Sequence, residues 1–368
     1  MTAALRPRKY LAYLAALVLV AFSAALVLEI ADPRQANAQS SVRPPTGATT
    51  NVTGGNVPGE ALGNISDSEM WRAVRKGIKG NVSIPDKKAG QLVQSEGDNW
   101  RALKNGPLAN YGAWGLLGVV VLLLLFYLLR GKIKVDHGMS GKTVTRFADL
   151  ERTGHWLLAV SFIILAITGL NITYGKYFLL PVIGKSAFAS LAAGGKWLHN
   201  YVAFAFMAGL VTILVLWIKE NFPNAHDLKW LAQTGGMFQK GVHPPAKKFN
   251  AGQKILFWLV IWGGLGLSLT GIALMFPFQI DFPGGMEPIQ QMQFMTTWHA
   301  IIALVLIIVV IAHIYIGTIG MEGAFDAMGT GKVDQNWAKE HHSIWAEEVV
   351  GSKRKKKSKS GKAAAAAE

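Results

Sequence analysis

The sequence of 368 residues contains no cysteine. This absence excludes disulfide bonds, iron–sulfur clusters held by thiolates, and a c-type haem attached through C-x-x-C-H. Charged residues are also scarce, at 16% of the chain, whereas 51% of the residues are hydrophobic. Any redox cofactor of this chain would therefore have to be held by histidines, of which there are 9.

The hydrophobic residues are concentrated in long runs. A run of about 20 apolar residues forms a helix long enough to cross a hydrocarbon core of ~30 Å. The sequence therefore predicts an all-α membrane protein. The predicted transmembrane helices occupy residues 113–129, 156–174, 197–218, 255–278 and 298–320.

The N-terminal part is predicted to precede the membrane bundle. Residues 1–38 have a basic start, an apolar run at 10–28 and Ala-Asn-Ala at 36–38, which is typical of a signal peptide. An uncleaved anchor remains the alternative, because the apolar run is long. Residues 39–112 are predicted to be a periplasmic extension, with a capping box and a short helix beginning at 66–69. Residues 113–130 then form an extra transmembrane helix.

The loop charges predict the orientation. Loops 130–154 and 219–254 each hold six Lys or Arg residues, so the positive-inside rule places them in the cytoplasm. Loop 279–297 has no Lys or Arg and loop 175–196 has three lysines, so both are predicted to be periplasmic. The basic tail 351–368 is predicted to be disordered in the cytoplasm near anionic lipid. Because the basic residues flank membrane spans, the net charge of +15 does not indicate nucleic-acid binding.

Four histidines lie in or beside the last four predicted spans. His199, His299 and His313 lie within spans, and His155 lies at the mouth of one. An ionisable group at membrane depth is costly and is usually functional. A single such histidine could equally be a polar group bonded across helices. Four together favour a functional site.

The spacing of these histidines sorts them into two pairs. His299 and His313 are 14 residues apart on one helix, a rise of ~21 Å and nearly four turns, so they share a face at opposite depths. His155 begins its span at the cytoplasmic side and His199 begins the next at the periplasmic side. We therefore pair His155 with His313 and His199 with His299, each pair holding one haem b iron. His313 lies deeper than His155, and a helix that begins earlier, near Ala148, would reconcile the two depths.

Other histidines and glycines carry less weight. Zinc is disfavoured, because one helix cannot bring His299 and His313 to the same ion. Glycines cluster in 255–278, where they could admit a macrocycle or simply allow helices to pack closely; they are Gly263, Gly264, Gly266 and Gly271. The histidines outside the spans are predicted to be solvated and without a role; they are His137, His226, His243, His341 and His342.

Several short motifs between residues 140 and 350 resemble those of one known family. They are the stretch from Arg146-Phe147 to His155-Trp156, Trp197-Leu198-His199, Phe249-Asn250-Ala251-Gly252-Gln253-Lys254, the pair His299 and His313, and Trp337-Ala338-Lys339-Glu340-His341-His342. With these motifs the chain resembles the gamma subunit, the cytochrome b subunit, of respiratory membrane-bound formate dehydrogenase. The resemblance implies that 140–350 is a four-helix transmembrane di-haem cytochrome b bundle.

The same resemblance implies a quinone site. In that family the residues that match Asn250, Gly252 and Gln253 line a site for menaquinone or ubiquinone beside the cytoplasmic haem. A quinone carbonyl needs hydrogen-bond donors close to the membrane surface, where protons are available. Without the resemblance, the simplest interpretation of this run is a polar helix start with Asn250 as the N-cap.

Partners and location follow from the resemblance as well. It implies a bacterial inner-membrane protein that receives electrons from an iron–sulfur beta subunit, with formate oxidised by a molybdenum or tungsten alpha subunit. One alternative is the cytochrome b of a nickel–iron hydrogenase or a thiosulfate reductase. Another is a membrane anchor or transporter without redox activity, whose histidines relay protons or bind substrate.

Overall fold

The structure, a computed structural model, describes residues 97–280 and 286–349. The predicted signal peptide at 1–38, the capping box at 66–69 and the basic tail at 351–368 lie outside the described residues. Most of the predicted extension 39–112 also lies outside them.

The described chain is almost entirely helical. Its α-helices are α1 (Gly97–Leu103), α2 (Ala109–Arg130), α3 (Asp149–Phe178), α4 (Leu180–Trp217), α5 (Ala225–Ala232), α6 (Ala251–Met275), α7 (Pro288–Tyr315), α8 (Asp326–Gly329) and α9 (Gln335–His341). Shorter 3-10 or π-helical turns cover Lys104–Leu108, Ile218–Glu220, Thr234–Gly236 and Ile316–Gly320. Two strands, β1 (Thr143–Thr145) and β2 (Lys332–Asp334), pair antiparallel, with Val144 opposite Val333.

Within 97–280 and 286–349, five helical stretches are long and apolar enough to cross a membrane. They are Asn99–Arg130, Asp149–Phe178, Leu180–Glu220, Ala251–Met275 and Pro288–Gly320. Each contains most or all of one predicted span, and this confirms the prediction of an all-α, multi-pass membrane protein.

Helix α3 begins next to Ala148, which is the early start predicted from the depths of His155 and His313. The N-cap is Ala148, and the side chain of Glu151 accepts a hydrogen bond from the Ala148 backbone N–H at 2.7 Å. This bond satisfies a backbone donor that the first turn of a helix leaves unpaired. His155 therefore lies in the second turn of α3, inside the helix, as the matching of its depth with His313 predicts.

The predicted loop 175–196 is wrong. Its residues are helical: α3 continues to Phe178, and α4 begins at Leu180. The chain turns sharply at Gly184, whose φ of 79° and ψ of 170° interrupt the helix. Beyond it the segment is rich in alanine, which favours helix even where the hydropathy falls below that of a membrane span. His199 consequently lies within α4 and does not begin it.

The described chain divides into two compact units. In the first unit, which includes Trp114–Gly266 and residues from Ile302 onward, α3 and α4 run side by side. A Cβ on Gly209 would lie 2.8 Å from the Leu158 backbone nitrogen, so the two helices approach at van der Waals distance there. Side chains of α4, such as Phe206 at 4% exposure, form the core with the first part of α6.

A cap of irregular chain covers the end of the first unit where α3 begins. Ile133 donates its N–H to Gly320 O, and Glu322 donates its N–H to Ile133 O, both at 2.8 Å. The pairing of β1 with β2 ties the same two segments together and buries Val333 completely. Trp337 of α9 is 2% exposed in this cap. The chain after α7 is therefore an ordered part of the fold as far as residue 349.

In its described part, the second unit comprises residues 97–113, 267–280 and 286–301. It contains α1, the last turns of α6 and the first half of α7. The side chain of Gln291, 5% exposed, donates to Ile280 O at 3.0 Å. This bond holds the chain after α6 against α7.

Candidate functional site

His155 and His313 lie side by side in the first unit, on α3 and α7. Their ring centroids are 6.3 Å apart and the rings are inclined at 67°. A metal ion between two imidazole nitrogens would need a similar separation, because each metal–nitrogen bond is ~2 Å and each ring adds ~1 Å. The geometry therefore suits one metal centre between the two rings.

His199 lies in the interior of α4 and faces α3. Its Nδ1 is 2.8 Å from Thr168 Oγ1. The next residue, Gly169, leaves the ring room: a Cβ there would lie 3.5 Å from His199 Cε1 and would meet no other described atom within 4 Å. A threonine and a glycine in succession therefore hold this imidazole by its Nδ1 edge.

His299 has the same surroundings in the second unit. Its Nδ1 is 2.9 Å from Thr270 Oγ1, on the last turns of α6. A Cβ on the following residue, Gly271, would lie 3.4 Å from His299 Cε1. His199 and His299 belong to different units, and each is held by its own threonine and glycine.

The glycines predicted on α6 serve two purposes. A Cβ on Gly263, Gly264 or Gly266 would come within 2.9 Å of a leucine or isoleucine methyl group of a neighbouring helix. These three allow close helix packing, as the ordinary interpretation of the cluster holds. Gly271 is different, because among the described residues only the His299 ring would lie within 4 Å of a Cβ there.

Asn250 and Gln253 cap the start of α6. Asn250 Oδ1 accepts from the Gln253 backbone N–H at 2.9 Å, and Gln253 Oε1 accepts from the Asn250 backbone N–H at 3.1 Å. This reciprocal pair is a capping box. Both side-chain oxygens accept the hydrogen bonds of the cap. The amide NH₂ groups are not used by the cap and could donate hydrogen bonds to a ligand.

Gly252 lies between these two residues and contacts Trp230. A Cβ on Gly252 would lie 2.8 Å from the indole, and a Cβ on Gly235 would lie 2.4 Å from it. The indole therefore fits between two glycines. Close packing of Trp230 accounts for Gly252, whatever else the position does.

A buried arginine joins this helix start to the rest of the cap. Arg146, 5% exposed, donates through Nη2 to Lys248 O at 2.7 Å and lies 3.3 Å from Gln253 Oε1. The same Nη2 is 2.8 Å from Nε2 of His342, which is 1% exposed. Burial lowers the pKa of Arg146 to about 9, so it remains charged at neutral pH.

The arginine fixes the protonation of His342. A guanidinium only donates hydrogen bonds, so His342 Nε2 accepts, and its Nδ1–H donates to Lys247 O at 2.7 Å. Burial and the charge of Arg146 lower the pKa of His342 well below its usual value, and burial lowers the pKa of His341 to about 4. Both histidines are therefore neutral at pH 7.

The prediction that these two histidines are solvated is wrong. His341 ends α9 and His342 follows it, and because α9 packs into the cap through Trp337, both histidines are removed from water. The signal that could have found them is the pair of aromatic residues around them, Trp337 and Trp345, which mark a buried segment. His137 has the predicted exposure, with 79% of its side chain accessible.

Comparison with known proteins agrees with this arrangement. The profile of the family described as prokaryotic cytochrome b561 matches residues 146–331, half of the chain. The chain belongs to the prokaryotic cytochrome b561 family. The matched range contains the four histidines of the predicted spans and the capping box of α6.

Individual relatives of this cytochrome b561 chain are named after one enzyme. It is 26% identical over 225 residues to the cytochrome b556(Fdn) subunit of nitrate-inducible formate dehydrogenase from Escherichia coli, covering 60% of this chain and 99% of the relative. It is 27% identical over 208 residues to the cytochrome b556(fdo) subunit of Escherichia coli formate dehydrogenase, covering 56% and 93%. The formate dehydrogenase cytochrome b556 subunit of Haemophilus influenzae is 24% identical over 213 residues, covering 57% and 85%.

Membership of a cytochrome b561 family implies haem b, and the residues present fit that group. His155 and His313 offer two imidazoles at a suitable separation, and the threonines beside His199 and His299 occupy Nδ1. Within 97–280 and 286–349, no group of three or more His, Asp or Glu residues could hold a metal ion. Two imidazoles at this separation match the ligand set of a bis-histidine haem.

Proposed function

We propose that this chain is the cytochrome b subunit of a formate dehydrogenase in a bacterial inner membrane. In this role it receives electrons from an iron–sulfur subunit and delivers them to a membrane quinone, while a molybdenum or tungsten subunit oxidises formate. The names of its relatives support the partner enzyme. The family and the five apolar helices support a membrane-embedded electron carrier.

Four histidines would hold two haems b. His155 and His313 would ligate one, and His199 and His299 the other. When bound, each haem b supplies a reversible one-electron couple. The single observation that carries the proposal is the approach of the His155 and His313 rings, at 6.3 Å, in a chain of the cytochrome b561 family.

Quinone would bind at the start of α6. The capping box leaves the amide NH₂ groups of Asn250 and Gln253 as donors for a quinone carbonyl, beside Gly252. The buried charge of Arg146, 3.3 Å from Gln253 Oε1, would favour the negative charge that a carbonyl oxygen gains on reduction. The charges of loops 130–154 and 219–254 favour the cytoplasmic side for this end.

The orientation gives the direction of electron flow. Electrons would enter at the periplasmic side, near His199 and His299, and leave at the cytoplasmic side, near His155 and His313. Protons for the quinone would then come from the cytoplasm.

The test is a spectrum followed by an activity assay. The membrane complex that contains this chain, purified in detergent, should show reduced-minus-oxidised bands of low-spin haem b, with two haems per chain by pyridine haemochrome. Formate should reduce both haems, and a quinone analogue should reoxidise them. Absence of haem from folded protein would refute the proposal, and reduction by hydrogen but not by formate would move the chain to a hydrogenase.

A further inference from the structure

A Thr-Gly dipeptide occurs twice in the structure with the same relation to a histidine. Thr168-Gly169 of α3 holds His199, and Thr270-Gly271 of α6 holds His299. In both cases the threonine hydroxyl contacts Nδ1 and the glycine lies beside Cε1. The same arrangement of a threonine, a glycine and an imidazole therefore occurs once in each unit.

The threonines fix the tautomer of each imidazole. A hydroxyl has one hydrogen, and Thr168 Oγ1 directs it to Ile164 O at 2.8 Å. The 2.8 Å contact with His199 must then be one in which Nδ1–H donates to Oγ1. Thr270 Oγ1 likewise donates to its own helix, at Leu267 O, 3.3 Å away. Each ring thus carries its proton on Nδ1 and its lone pair on Nε2, the nitrogen a metal would bind.

The glycines leave space beside each imidazole ring. A Cβ on Gly169 would lie 3.5 Å from His199 Cε1, and a Cβ on Gly271 would lie 3.4 Å from His299 Cε1 and 3.8 Å from its Nδ1. Apart from the adjoining residues and backbone of the glycine's own helix, no described atom other than those of the histidine lies within 4 Å of these positions. The glycines are therefore not explained by helix packing, unlike Gly263 and Gly264.

His155, the proposed haem ligand on α3, lacks this arrangement. Nδ1 of His155 is buried and has no hydrogen-bond partner in the described part of the chain. An imidazole whose Nδ1–H is bonded to an oxygen is a more basic ligand, and a more basic ligand stabilises ferric iron over ferrous iron. His155 therefore favours the oxidised state less strongly than His199 and His299, whose Nδ1 atoms lie beside threonine hydroxyls.

We propose that Thr168 and Thr270 are positioning residues that aim Nε2 of His199 and His299 at a haem iron and make that haem the lower-potential one of the two. The inference rests on the proposed function, in which these histidines are axial ligands. On this inference the hydrogen bonds of the two threonines set the direction of electron transfer. Electrons that enter at the lower-potential haem, held by His199 and His299, pass to the higher-potential haem, held by His155 and His313.

The test compares valine and serine at both positions in the complete membrane complex. Thr168→Val and Thr270→Val keep the shape of the side chain and remove the acceptor, whereas Thr168→Ser and Thr270→Ser keep it. Each valine should increase the equilibrium constant for reduction of the lower-potential haem at least tenfold, a rise of about 59 mV for one electron. Serine should restore the original potential.

Matched control threonines exist, one on α3 and one on α7. Thr173 Oγ1 bonds to Gly169 O at 3.1 Å, and Thr297 Oγ1 bonds to Gln293 O at 2.8 Å, so both have the back-bond of Thr168, and neither is the hydroxyl beside Nδ1 of His199 or His299. Thr173→Val and Thr297→Val should leave both potentials unchanged. A valine at 168 or 270 could instead cause loss of the haem. If the other haem is then retained and the serine variant restores the lost one, the same positioning role is supported.

The outcomes separate this inference from the proposed function. If the complex has two haems and the valine variants titrate like the parent, the inference is wrong and the haem assignment stands. A potential shift confined to the other haem, or an equal shift in the controls, also overturns it. If the complex has no haem, or if His199→Ala keeps both, the proposed function itself fails.

Discussion

The start of α6 offers a test that separates helix capping from quinone binding. The cap uses the oxygens of Asn250 and Gln253, whereas a quinone carbonyl would use their NH₂ groups. The double change Asn250→Asp with Gln253→Glu keeps both oxygens and removes both donors. Changing both residues to leucine would remove the two functions together and would not distinguish them.

The structure gives the size of the expected effects. The cap remains, and two carboxylates at a helix N-terminus add about 0.3–1 kcal/mol each in favour of the fold. Each lost hydrogen bond to a quinone would cost about 0.5–1.5 kcal/mol, so two would cost about 1–3 kcal/mol. At 1.4 kcal/mol per factor of ten, the KM for quinone should rise roughly 5- to 150-fold.

The assay is formate-to-quinone activity per haem, alongside the rate of haem reduction by formate and the Tm. Haem reduction and Tm should be preserved while the KM for quinone rises. Asn224→Asp is a matched control, because Asn224 Oδ1 caps α5 by accepting from His226 N at 3.0 Å and is outside the proposed site. An unchanged KM in the double variant would refute the quinone assignment and leave capping as the sole function of these residues.

Three further predictions follow from the ligands, the loops and the buried histidines. His299→Ala and His313→Ala should each remove a different haem band, and loss of the same band in both would contradict the pairing. A topology reporter fused after residue 240 should lie in the cytoplasm. A periplasmic location would contradict the inferred orientation and with it the proposed direction of electron flow. Burial lowers the pKa of His341 to about 4 and that of His342 well below its usual value, so below pH ~6.5 these two histidines take up protons in the unfolded chain before they do so in the folded chain. Stability should therefore be full above pH ~6.5 and fall by up to ~1.4 kcal/mol per histidine per pH unit below it, with a shallower slope for His342→Gln in detergent melts.

The membrane helices could be predicted because hydrophobicity alone determines them. Each predicted span lies largely within one long helix, and the early start of α3 followed from the depth of one histidine. The helical segment at 175–196 could not be predicted in the same way. It is too polar for a span, and its helical state depends on alanine-rich local preference and on a single turn at Gly184.

The candidate site was predictable as far as the chemistry of single residues. Histidines in an apolar helix are conspicuous, whereas threonines such as Thr168 and Thr270 are common there, and only the structure identifies them as partners of histidines. The buried environment of His342 could not be predicted from the sequence either, because its hydrogen-bond partner Arg146 is 196 positions away in the chain.

The polar groups of this protein are distributed as a redox carrier in a membrane requires. Within the membrane-spanning helices the proposed haem ligands are imidazoles, which would bind iron while neutral and so carry no charge into the hydrocarbon. The charges gather where helices end. Lys254, 4% exposed, is held by Asp227 at 2.8 Å, and the buried guanidinium of Arg146 is shared among carbonyl, amide and imidazole partners. Electron transfer needs only imidazoles of this kind, whereas the quinone reduction that we propose also needs protons and a place for negative charge, and the capped start of α6 lies beside the cation of Arg146.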